Sequence, residues 1–241
     1  MGLHQPAHFP IPHIFVFKPS SFGGKIAPTV ANTESKTFPP DFSHALKTLV
    51  NMHHVIYRRL PPQGIYFEAL VLEAFTQIKK PFTPIEPTRL NLPAHDLLVE
   101  GTRISIKTET GAGTKDMLIT ITKLCTTEKE PWTPEVLIER VMAHLRRYDV
   151  ILMLRAVWEH PLIHYQVLEI PIELLALIEA ADLKGSGKRK GRQSLGADVL
   201  RNGEKVFRVH FDGSDGKCSV RGIAIQDCRM LSSWDYRVRE G

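Results

Sequence analysis

Cysteine is scarce in this sequence, and long apolar runs are missing. The 241 residues include three cysteines, Cys125, Cys218 and Cys228, odd in number and widely spaced. They form no CxxC pair, which argues against a structural zinc site and against a disulfide framework. A reducing cytoplasm is the compartment that follows. No stretch reaches the roughly 20 apolar residues a membrane-spanning helix requires. The opening MGLHQPAHFPIPHIFVF has no basic segment leading into an apolar one, so neither a secretory signal nor a membrane partner is expected. Gly2 does not make a myristoylation signal, because Pro6 stands where Ser or Thr is needed. Internal repeats are absent as well.

What remains is an ordinary globular composition, 43% hydrophobic and 24% charged, enough to bury a core in one sizeable domain. The net charge of +5 and pI near 9.1 favour a polyanionic partner without naming one. Residues 1–40, rich in Pro, Gly, Ser and Thr, read as an extended arm. A helix starts near Asp41 and stops before Pro61 and Pro62, and a second follows in QGIYFEALVLEAFTQIKK until Pro81. Three alternating strands come next, within DLLVEGTRISIKTETG and MLITITKL. TPEVLIERVMAHLRRY reads as a helix capped by Thr133, and DVILMLRAVW as a buried central strand. HYQVLEI is a further strand and PIELLALIEAADL a further helix. A core over 41–183 is thus followed by a basic loop at 184–193 and a β-rich segment at 194–241, within an α/β fold whose central mixed β-sheet is flanked by helices.

The hairpin carries the chemistry. A two-residue Gly101-Thr102 loop would be a type II′ turn, setting Glu100 opposite Arg103, Leu98 opposite Ser105 and Asp96 opposite Lys107. Alternation then gathers Ser105, Lys107 and Glu109 on one face and Ile104 and Ile106 on the other. On its own this pattern also fits a cross-strand salt bridge on a solvated face. The preceding helix adds a second carboxylate: Glu68 shares its stripe with Val71, Leu72 and Phe75, and a carboxylate on an apolar stripe needs a positive partner. Glu73 lies on a more polar edge of that helix. Two carboxylates and one amine in a cleft suit metal-dependent phosphodiester hydrolysis, with Mg2+ held by carboxylate oxygens and the lysine stabilising charge.

These residues resemble the PD-(D/E)XK nuclease superfamily, whose core is a helix, a three-strand meander, a helix and a further strand. That order matches residues 63 to 157. Asp96 takes the place of the signature Asp and Lys107 that of the Lys, while GIYFE resembles the G-x-x-F-E opening of the first helix in restriction-type members. The acidic position before the Lys holds Ser105, so SIK replaces the acidic form and a carboxylate must come from elsewhere: Glu68 first, then Glu139 or Glu109. The resemblance, over roughly 63 to 170, is greatest to type II restriction endonucleases. It implies a restriction-endonuclease-like core and a homodimeric, Mg2+-dependent, sequence-specific endonuclease acting on double-stranded DNA. It also implies a metal on Asp96, Glu68 and the Ile106 backbone carbonyl. Because a hydroxyl ligates Mg2+ poorly, Ser105 is expected to contribute little.

DNA contacts are expected from two regions. Lys184, Lys188, Arg189, Lys190 and Arg192, interleaved with glycines, suit phosphate contacts. Arg208, Arg221, Gln226 and Arg229 are of the types that read bases. His210 in the same segment is a further candidate. A structure-specific or repair nuclease of the same superfamily, and a non-catalytic DNA-binding protein, are the competing readings.

Overall fold

The structure, a computed structural model, describes residues 35–84, 96–127, 131–186 and 192–238. The arm up to residue 34 and the basic residues Lys188, Arg189 and Lys190 lie outside the described residues. Helix α1 (Pro40–Ile56) begins with Pro at its first position, and Asp41 accepts a hydrogen bond from the Phe42 amide at 2.9 Å. Helix α2 (Ile65–Gln77) follows Gly64, whose φ of 49° favours glycine. Its buried Phe67, Val71, Ala74 and Phe75 recur at helical spacing, and Phe75 meets Phe42 of α1 with ring centroids 4.4 Å apart.

Strands β1 (Phe82–Pro84), β2 (Leu97–Val99), β3 (Thr102–Glu109), β5 (Val150–Glu159), β6 (Leu162–Pro171) and β11 (Arg229–Arg237) form a six-stranded sheet in the order β1-β2-β3-β5-β6-β11. Only β3 and β5 run parallel, so the sheet is mixed. The apolar run of β5 is buried from Val150 to Val157, as a strand covered on both faces must be. Ile104, Ile106, Leu152 and Leu154 pack with α1 and α2. Ile151, Met153, Leu168 and Ile170 face the other way, toward helix α3 (Pro134–Leu145) and a second sheet.

That second sheet overturns one expectation. Strand β4 (Leu118–Thr126) does not complete a meander beside β3. It pairs antiparallel with β10 (Lys217–Ala224), in the order β4-β10-β9-β8-β7, where β7 is Lys184–Ser186, β8 Ser194–Arg201 and β9 Glu204–Phe211. Alternation puts Ile119 and Ile121 toward a core but cannot say which edge β4 joins. Arg155 decides where β4 begins. Fully buried on β5, its guanidinium donates to the carbonyls of Lys115, Asp116 and Leu118, the latter two at 2.9 and 2.8 Å, and holds the approach to β4 off the main sheet.

Thr133 caps α3 by accepting from the Val136 amide at 3.5 Å, as its position suggested. The last helix is shorter than its pattern implied: α4 (Ile172–Ala176) passes into a 3-10 turn at Leu177–Ala180. The C-terminal segment supplies both sheets, since β8–β10 build the second and β11 closes an edge of the first. There Trp234 stacks on Tyr165 at 5.1 Å and donates to Asn51 of α1 at 3.1 Å. Among the described residues no helix is long and apolar enough to cross a membrane.

Candidate active site

The hairpin turns one residue earlier than expected. Its loop is Glu100-Gly101, with φ of 46° and 84°, the pair of positive values a type I′ turn requires. Leu97 therefore faces Ile104 and Val99 faces Thr102. Moving a two-residue loop by one position shifts the register by two, which leaves every side chain on its original face. Asp96 now lies beside Ser105, with Lys107 one step along the same face. The expected pairing of Glu100 with Arg103 does not form: Lys80 meets Glu100 at 2.9 Å and Asp149 meets Arg103 at 2.6 Å.

Strand β2 is only three residues long, so among the described residues the second half of β3 pairs with β5 on one side and with no strand on the other. Asp96 occupies that side. Its Oδ2 accepts from the Ile106 amide at 2.6 Å and from Ser105 Oγ at 3.2 Å, with Lys107 Nζ at 3.9 Å. Lys107 Nζ also donates to Ser105 Oγ at 2.8 Å and to the Ile106 carbonyl at 3.1 Å. Ser105 thus bridges the aspartate and the lysine. Its hydroxyl links the two charged side chains rather than standing alone in the cleft.

Glu68, in the first turn of α2, comes within electrostatic reach of Asp96 and Lys107. It is half-buried, and its carboxyl is held above the ordinary range, first by burial and then by the charge of Asp96, with Lys107 opposing. An open cleft of about 420 Å3 lies here, lined on one side by Glu68, Ile106 and Lys107, at its floor by Met153, and on the far wall by Thr122 and Lys123 of β4.

Other candidates are employed elsewhere. Glu109, two residues beyond Lys107, meets the guanidinium of Arg155 at 2.7 Å and accepts from the Thr120 amide at 3.0 Å. Burial still keeps its carboxyl above the ordinary range. Glu73 is exposed and accepts from Gln77 at 3.1 Å, and Glu139 is exposed on α3. Arg208 pairs with Asp198 at 2.9 Å, Arg229 with Glu169 at 2.9 Å, and Lys184 with Asp182 at 2.9 Å. Arg192 lies over the Trp132 ring at 4.0 Å and donates to the Gly213 carbonyl. Arg221 and Gln226 are exposed.

Sequence reasoning missed three residues around the cluster: Lys123, His144 and Tyr148. Among the described residues the buried His144 Nε2 and Tyr148 hydroxyl have no hydrogen-bond partner. Burial, followed by the charges of Lys107, Arg147 and Arg140, pushes the imidazole of His144 down to about 4. The Tyr148 phenol is pushed up by burial, then by neighbours that include Cys125 and Asp96. The four-residue spacing of His144 and Tyr148 was visible, but Tyr148 falls beyond the end of α3 and nothing local placed the pair near Lys107 and Asp96.

The depressed imidazole has a consequence for stability. Below the ordinary value of 6.5 the unfolded chain takes up a proton that folded His144 refuses until about 4. Stability therefore falls as pH drops across that window. His53 and His54, lowered chiefly by burial, act in the same direction, whereas the raised carboxyls of Glu68 and Glu109 favour the fold on protonation. His144→Asn is expected to flatten the decline of melting temperature between 6.5 and the carboxylate range. An unchanged slope would remove His144 as its source.

Magnesium takes six oxygens and is commonly held through one or two carboxylates, keeping several waters. Asp96, Glu68 and the Ile106 carbonyl have the chemistry of such a minimal set. Among the described residues the carboxylate contacts of Asp96 fall on Oδ2, leaving Oδ1 for a metal. No group of three or more His, Cys, Asp and Glu side chains converges among the described residues, so the donors suit an ion that shares its shell with substrate and water.

No protein-family model and no solved structure matches the chain. Over 149 residues it is 28% identical to the type II restriction enzyme SmaI of Serratia marcescens, an alignment spanning 60% of this chain and 60% of that protein. That similarity supports a relationship to a type II restriction enzyme.

Proposed function

We propose that this protein is a Mg2+-dependent endonuclease of the restriction type, hydrolysing phosphodiester bonds at a specific sequence in double-stranded DNA. The observation that carries the reading is that Glu68 lines one cleft with Ile106 and Lys107, while Asp96 holds the Ile106 amide and lies 3.9 Å from Lys107. The relationship to a restriction enzyme agrees with it.

Asp96 and Glu68, together with the Ile106 carbonyl, would hold the metal. When bound, Mg2+ supplies positive charge to the phosphate and makes a nearby water more acidic. Lys107 brings its ammonium to the phosphate oxygens, where charge grows as water attacks phosphorus and the P–O bond to the leaving oxygen breaks. Ser105 keeps Lys107 from collapsing fully onto Asp96. Phosphate contacts come from Lys184, Lys188, Arg189, Lys190 and Arg192 and position the duplex. Arg221 and Gln226, exposed on β10 and just after it, are the tail side chains most available to reach bases. Arg208 and Arg229 would first have to leave their carboxylates.

We infer a homodimer as well, because cutting both strands of a symmetric site takes two such clefts. Val55, Ile56, Leu60, Ile65 and Tyr66, close in sequence around Gly64, are exposed apolar side chains that suit such a contact.

Digestion of a long duplex with Mg2+ tests the function. Discrete fragments are expected. Nicking confined to branched or damaged DNA would favour a structure-specific nuclease, and no cutting would leave a DNA-binding protein. Sedimentation at twice the 27.3 kDa of the chain checks the dimer.

A further inference from the structure

The far wall of the cleft breaks a rule of regular strands. Successive side chains of a strand point to opposite faces, yet Ile121, Thr122 and Lys123, three residues in a row on β4, all line the same cleft. The cause is a bulge. Val220 pairs with Ile121 and Cys218 with Cys125, so residues 122 to 124 of β4 stand opposite Ser219 alone. A bulge of this kind disrupts the ladder and re-aims side chains. Here Thr122 and Lys123 are exposed although Ile121 before them and Leu124 after them are buried.

Charge gives the bulge its meaning. On the near side, Glu68 and Asp96 set two carboxylates against the single ammonium of Lys107. Among the described residues of that side, a polyanion entering the cleft would meet more carboxylates than ammonium groups. Lys123 has no carboxylate partner among the described residues, and it places a second ammonium on the opposite wall. The main sheet and the second sheet thus present one lysine each to the space between them.

We propose that Lys123, presented by the β4 bulge, binds a backbone phosphate of the substrate strand next to the one attacked, with the Thr122 hydroxyl as a neighbouring donor. This rests on the nuclease reading for what fills the cleft. Lys107 acts on charge that develops during reaction, whereas Lys123 acts on charge present in the ground state throughout. Their loss should therefore appear in different constants.

The experiment compares wild type, Lys123→Gln and Lys123→Arg. Binding to a short fluorescent duplex of arbitrary sequence is followed without metal as salt is varied, and cleavage of a long duplex is followed with Mg2+. Lys123→Gln is expected to weaken binding roughly five- to tenfold near physiological salt. It should also lower the salt slope by about one phosphate contact. The cleavage defect should fall mainly on KM, and Lys123→Arg should restore binding, which loss of a merely structural lysine would not predict. If wild type cuts no DNA but the glutamine variant still loses affinity and slope, the nuclease reading fails while Lys123 remains a phosphate contact. If wild type cuts and the glutamine variant matches it in affinity, slope and KM, Lys123 is not at the interface.

Discussion

Asp96→Ala and Lys107→Ala are each expected to abolish DNA cleavage, by at least about a hundredfold, with the fold and duplex binding retained. Removing one group that stabilises developing charge in an active site commonly costs about 10²–10³ in rate. Asp96 also fixes the edge itself, through the 2.6 Å bond from the Ile106 amide and the contacts from Ser105 and Lys107. Its loss removes a carboxylate from the metal donors and the counter-charge of Lys107, which keeps its bonds to Ser105 and the Ile106 carbonyl. Glu68→Gln is expected to fail similarly, because the carboxylate on α2 is the second donor. Ser105→Ala should be milder. It deletes one bridging hydroxyl, worth about 0.5–1.5 kcal/mol, and so costs up to about tenfold in rate. Single-turnover cleavage by purified variants, with melting temperature as the folding control, gives the answer. An Asp96→Ala or Lys107→Ala protein that cuts at near wild-type rate would falsify the assignment, and a dead Ser105→Ala enzyme would give the serine a larger role than a spacer.

The largest effect on stability is expected from Arg155→Met, about 3–5 kcal/mol by chemical denaturation. Arg155 is fully buried. Its Nε donates to Glu109 at 2.7 Å and one terminal nitrogen to Gln166 at 2.5 Å, while three backbone carbonyls of the 115–118 segment take the remaining donors. Gln166 in turn donates to Asp116 at 2.7 Å. Methionine fills much of the volume but leaves Glu109 buried without its cation and the carbonyls without donors. Adding Glu109→Gln to this variant should recover part of the loss, since the uncompensated charge is then gone. Arg155→Met within about 1 kcal/mol of wild type would mean that the network does not hold the two sheets' connection as described. Because that connection sets where β4 starts, the variant should also disturb the cleft wall that carries Lys123.

The elements whose signals are local were legible in the sequence. Pro40 and Asp41 mark the start of α1, the Thr133-Pro134 pair marks that of α3, and the apolar run marks β5 as central. Alternation together with the hairpin register put Asp96, Ser105 and Lys107 on one face, and that held even though the turn formed one residue earlier than read. A register shift of two residues cannot change a side chain's face. The approach of Glu68 to Lys107 followed from a carboxylate on an apolar stripe, which needs a positive partner.

The rest depended on partners far away in the chain. Glu109 shares the face of Lys107, but the parallel register of β3 with β5 sets it against Arg155, 46 residues on. That arginine inside an apolar strand was the one visible sign that a buried carboxylate had to exist. The true neighbour of β4 is β10, and the bulge that turns Lys123 into the cleft is defined only by that pairing. Periodicity records which face of a strand is dry. Which edge it joins is settled by loop closure and packing between segments that no local pattern connects.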